Sequence, residues 1–118
     1  MSRSMDLPIY KTSYELMKLV VESVRHFPRD FRPTLGARLN DESVKLVVAI
    51  YKANAAIDKR ACIAELLESL QVVELLLKLS FDLRLIATKQ YSKSVEITGE
   101  VGKQAGGWKK FAERTKSP

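Results

Sequence analysis

Residues 61–87 read ACIAELLESLQVVELLLKLSFDLRLIA, and this stretch decides the fold class. It holds no proline or glycine, and leucine is dense along it. Leu66, Leu67, Leu70, Val73, Leu76, Leu77, Phe81 and Leu85 recur at helical spacing but cover more than one narrow stripe. A continuous helix of this length would reach about 40 Å. So wide an apolar arc implies burial against more than one neighbour. The helix is then either central to a bundle or also part of a subunit interface. Asp58 stands before it as an expected N-cap, which places the helix at 59–87.

Upstream, a second helix is expected over 34–57. Its stripe is Leu35, Leu39, Leu46, Val47, Ile50 and Ile57, with Asn54 on the same face and Gly36 in the first turn. Two prolines in Pro28-Arg-Asp-Phe-Arg-Pro33 make that segment a loop. Before it, Tyr10, Tyr14, Met17, Val20, Val21 and Val24 predict a first helix over 9–27, opened by Pro8 and closed by Pro28. Downstream, Tyr91, Val95, Thr98, Val101, Ala105, Trp108 and Ala112 share the face of a fourth helix over 92–114. Gly99, Gly102, Gly106 and Gly107 weaken it, and the adjacent pair is expected to end or kink it before Trp108. No strand-like alternation occurs. The expected architecture is all-α, an up-down-up-down antiparallel four-helix bundle in a single domain covering 1–118. Excess apolar surface on the third helix, and an asparagine on the stripe of the second, make self-association the expectation.

The chain has 118 residues, of which 46% are apolar, enough for one core and too many for a disordered chain. A net charge of +6 suggests a polyanionic partner. The lone Cys62 excludes an internal disulfide and fits a reducing compartment. Residues 1–6 carry no apolar signal-peptide core, and no apolar run of about 18 residues exists. A cytoplasmic protein with no membrane partner is expected.

Catalytic constellations are missing. The sole histidine, His26, lies where the first helix enters a loop, four residues after Glu22, and no nucleophile motif is near it. Bundle metal sites draw Glu-x-x-His pairs from two helices, and zinc needs several cysteines or histidines. The Arg-x4-His motif of some bundle ribonucleases would need arginine where Val21 stands. The glycines follow no strand and precede no phosphate-loop lysine. No enzyme activity, metal or cofactor is expected, and His26 reads as a surface or capping residue.

Binding residues are a different matter. Arg38, Lys45, Lys52 and Lys59 are spaced by seven residues, so on one helix they would form a ridge about 30 Å long. Such a ridge could follow the phosphates of a nucleic acid. The plainer reading is a solvated face, partly paired with Asp41 and Glu42. Arg25, Arg29 and Arg32 form a second cluster with Arg38, opposed only by Asp30 and interleaved with Phe27 and Phe31. Those rings could stack on unpaired bases or staple the loop onto the bundle end. A third cluster, Lys103, Lys109, Lys110, Arg114 and Lys116, surrounds Trp108, which is expected to pack on the bundle.

Tyr10-Lys11 with Tyr14, Phe27-Pro28-Arg29, Thr34-Leu35-Gly36, Arg38-Leu39, Lys89-Gln90-Tyr91 and Gly106-Gly107-Trp108 occur in a recognisable order. That order resembles the family of intervening-sequence proteins found within bacterial ribosomal RNA genes. The Thr-Leu-Gly and Gly-Gly-Trp segments resemble the branch of accessory variability determinants of diversity-generating retroelements (Avd-like proteins). The resemblance runs from about residue 7 to residue 110. It implies a homopentamer of basic four-helix bundles that binds nucleic acid and a reverse transcriptase, supports mutagenic reverse transcription and is not itself an enzyme. The alternative is a protein-interaction or structural module of the intervening-sequence type.

Overall fold

A computed structural model describes residues 7–114. Four helices account for most of them: α1 (Pro8–Arg25), α2 (Ala37–Ala55), α3 (Arg60–Asp82) and α4 (Thr88–Arg114). Among the described residues there is no strand. α1 and α3 each pack against both α2 and α4, so the four helices surround a common core.

The inward seam of α3 is Ile63, Leu66, Leu70, Val73, Leu77 and Ser80. Its alternating steps of three and four residues are the 3.5-residue repeat of knobs-into-holes packing. α4 repeats the rhythm with Ser94, Thr98, Val101, Ala105 and Ala112. Bulky leucines of α2 and α3 thus share the core with small residues of α4. The wide arc of α3 divides accordingly: Leu75 and Leu79 remain exposed on its outer side.

On α1 the buried residues are Ile9, Ser13, Leu16, Val20, Ser23 and Val24. This corrects the expected face, because Tyr14 and Val21 are exposed. Serine occupies inward positions, so hydropathy alone points one residue aside. The buried hydroxyls cost little where they bond to their own helix. Ser23 Oγ donates to the Leu19 carbonyl at 2.8 Å, Ser80 Oγ to Leu76 at 2.7 Å and Ser94 Oγ to Tyr91 at 2.7 Å.

Helix ends depart from expectation for identifiable reasons. A single π-helical turn, Arg32–Gly36, leads directly into α2, and the Gly36 N–H donates to the Phe31 carbonyl at 2.8 Å. Glycine is required there by close packing, since a Cβ would lie 2.7 Å from Val24 Cγ1. α2 ends at Ala55, leaving Ile57 in solvent and Asn54 half-buried. The Asp58 carboxylate accepts the Arg60 N–H at 3.1 Å and so caps α3 from one residue further out than an N-cap.

α3 stops at Asp82 rather than continuing to residue 87. The Leu85 N–H donates to Ser80 at 2.8 Å and the Arg84 N–H to Phe81 at 2.9 Å, the two bonds of a Schellman ending. Arg84 occupies the left-handed position of that motif, with φ 61°. Glycine normally fills it, and its absence from the sequence hides the stop. Arg84→Gly is expected to raise stability by about 0.5–1 kcal/mol, read by thermal unfolding. Beyond the turn, Phe81 stacks on Tyr91 with ring centroids 4.3 Å apart.

α4 begins at Thr88 and runs through Gly106-Gly107 without a break. A Cβ at either glycine would meet nothing within 4 Å. Gly106→Ala/Gly107→Ala should therefore stabilise the protein by about 1–2 kcal/mol in denaturant titrations. A decrease would show that both positions serve close approach to something outside the chain.

Candidate nucleic-acid interface

The cations of α2 lie on one flank, because two heptad steps of a straight helix drift by only about 40°. Lys59 does not belong to this ridge. It follows the end of α2, and its Nζ donates to the carbonyls of Ala53 at 2.9 Å, Asn54 at 3.3 Å and Ala56 at 3.1 Å. A lysine held there satisfies terminal carbonyls and complements the negative end of the helix. The ridge is thus Arg38, Lys45 and Lys52, about 21 Å long at the helical rise.

Its three members differ. Arg38 Nε and Nη2 both lie 3.3 Å from Glu42 Oε1, and Lys45 Nζ lies 3.6 Å from the same oxygen. The Glu42 side chain is only 5% exposed, against 60% for Arg38 and 69% for Lys45. One buried carboxylate therefore binds two exposed cations from below, at spacings of four and three residues. Lys52 is exposed and makes no ion pair among the described residues. The pairing was foreshadowed by the Arg38-x3-Glu42-x2-Lys45 spacing; the burial of Glu42 was not, because sequence marks it only as one more charged surface residue.

The loop cluster is brought to the same end of the molecule as the start of α2. Arg25 pairs with Glu22 at 3.1 Å. Arg29 and Arg32 are exposed and have no ion-pair partner among the described residues. The intervening rings turn inward: Phe27 is buried in the core and Phe31 packs half-buried against it. They staple the loop onto the bundle end rather than standing open for stacking. Trp108 likewise packs against the core and against the Ala53, Ile63 and Ala112 cluster. Lys103, Lys109, Lys110 and Arg114 are exposed on α4, while Lys116 lies outside the described residues.

His26 is exposed at the end of α1, with Nε2 3.5 Å from Glu22 Oε1. Among the described residues no cluster of His, Cys, Asp and Glu is placed to hold a metal, and no helix is long and apolar enough to cross a membrane. Apolar surface also remains uncovered: Val44, Val48 and Tyr51 on α2, and Leu75, Leu79 and Leu83 at the α3 end.

Fold and surface together define a helical protein with, among the described residues, unpaired arginines in the loop before α2, an unpaired lysine in the last turn of α2, and exposed apolar faces. A family model described as bAvd-like matches residues 7–112, and the chain belongs to that family. No curated protein matches it.

Proposed function

We propose that this protein is a non-enzymatic accessory protein of a diversity-generating retroelement. It binds nucleic acid through Arg25, Arg29, Arg32, Arg38, Lys45 and Lys52 and engages a reverse transcriptase to support mutagenic copying. Family membership supports the accessory role. The cations without internal partners, Arg29, Arg32 and Lys52, are the observation that favours a polyanion. Lys59 contributes through the end of α2 rather than through phosphate contact.

The working form in this reading is a cytoplasmic homopentamer of up-down-up-down antiparallel bundles. Four-residue and five-residue connections after α2 and α3, with each helix packed on its neighbours in sequence, support that topology. The exposed residues Val44, Val48, Tyr51, Leu75, Leu79 and Leu83 support assembly. A ring of subunits would repeat the basic ends, and several weak contacts would act as one strong one. The protein performs no chemistry and uses no cofactor.

The test is a salt titration of binding to a structured RNA and to a DNA duplex, with oligomer mass measured by light scattering in the same samples. Binding that weakens steeply with salt, by an intact oligomer, is expected. An intact oligomer that binds neither at low salt would leave a protein-interaction module of the intervening-sequence type as the better account. The exposed apolar faces already favour protein contact in that case.

A further inference from the structure

We infer that Glu42 is a positioning residue that restrains nucleic-acid binding by α2, holding Arg38 and Lys45 against the helix and cancelling one of their two charges. The inference rests on the nucleic-acid reading above and adds a residue of opposite charge to the site. Its basis is the asymmetry of the cluster. The carboxylate is enclosed, whereas both cations are open to solvent on its outer side. A buried carboxylate keeps its charge compensated wherever partners are in reach. Arg38 and Lys45 are those partners, so each arriving phosphate competes with Glu42 for the same donors. Lys52, two turns on, has no such competitor among the described residues.

Two consequences follow. Arg38, Lys45 and Lys52 together with Glu42 present a net charge of two toward a polyanion rather than three, and exposed Asp41 lowers the total of residues 38–52 to one. Binding by the ridge is then weaker, and less salt-dependent, than a count of its cations implies. The cations are also fixed about 10 Å apart along the axis, a seven-residue rise, instead of sweeping freely over the helix surface.

The experiment compares the full-length protein with Glu42→Gln and with Glu100→Gln, using a fluorescently labelled RNA hairpin between about 50 and 200 mM salt. Glu100→Gln adds the same unit of charge on α4, where the carboxylate accepts a hydrogen bond from Gln104 at 2.8 Å and contacts no cation of α2. Glu42→Gln is expected to bind several-fold more tightly at low salt, with a log–log salt slope steeper by about one. Glu100→Gln should leave the slope near that of wild type. Thermal unfolding accompanies each variant, because a purely structural role for Glu42 would move the melting temperature and not the slope. Glu42→Met, close in volume, replaces the glutamine variant should that fail to fold. An unchanged slope, weaker binding by the Glu42 variants, or an equal gain from Glu100→Gln overturns the inference while wild-type binding stands. Absence of binding by wild type overturns the nucleic-acid reading, and the inference with it.

Discussion

Leu46→Ala is expected to cost the protein about 2–5 kcal/mol, measured by chemical denaturation. Leu46 is fully buried in the main core cluster, on the inward seam of α2 between Ser43 and Ile50. Its loss removes transfer energy and leaves a cavity. The neighbouring seam positions include Ala49, Ala53 and Ser43, small side chains with no reach to fill it. A domain of this size has about 5–15 kcal/mol in total, so one substitution would consume a large share of it. Val48→Ala on the outer side of α2 is the companion measurement: a loss below about 0.5 kcal/mol is the value for a side chain exposed in an isolated bundle, and a larger one is expected where assembly covers that face. A loss as large as that of Leu46→Ala would mean that another subunit covers that face.

Lys45→Glu/Lys52→Glu should weaken nucleic-acid binding by roughly 100-fold near 0.1 M salt, and flatten the salt slope by about two. The reversal removes two phosphate contacts and adds repulsion at both positions. Lys45 is also a partner of buried Glu42, so its reversal places a second carboxylate three residues from the first. Some loss of stability is expected from that repulsion, and the unfolding curve must be recorded with the binding curve. Arg29→Glu/Lys52→Glu provides the separate check, because neither residue contacts Glu42. A fall in affinity for both pairs, with the oligomer intact, supports a basic interface. Wild-type affinity in both would remove α2 and its preceding loop from the interface.

Much of the fold was legible in the primary structure. The helical character and wide apolar arc of α3 needed only its apolar positions, and Pro8 and Pro28 bound α1 by properties of the backbone itself. The inward face of α4 was legible in part: Thr98, Val101, Ala105 and Ala112 are buried as expected, but Val95 is half exposed and Ser94 takes the inward position. Net charge and the positions of Arg29, Arg32 and Lys52 required no structure.

Three features were decided only by tertiary structure. The buried face of α1 includes Ser13 and Ser23, which cannot be told from surface serines until helices close over them. The end of α3 uses a left-handed Arg84, which local preference disfavours and the surrounding fold imposes. The membership of the basic ridge depended on where α2 stops. Four evenly spaced cations look equivalent along a chain, because sequence carries spacing and charge but not burial. Closing the bundle turned one of them, Lys59, into a helix cap, and set a carboxylate beneath two others. Of these four, only Lys52 has neither an ion pair nor a carbonyl partner among the described residues.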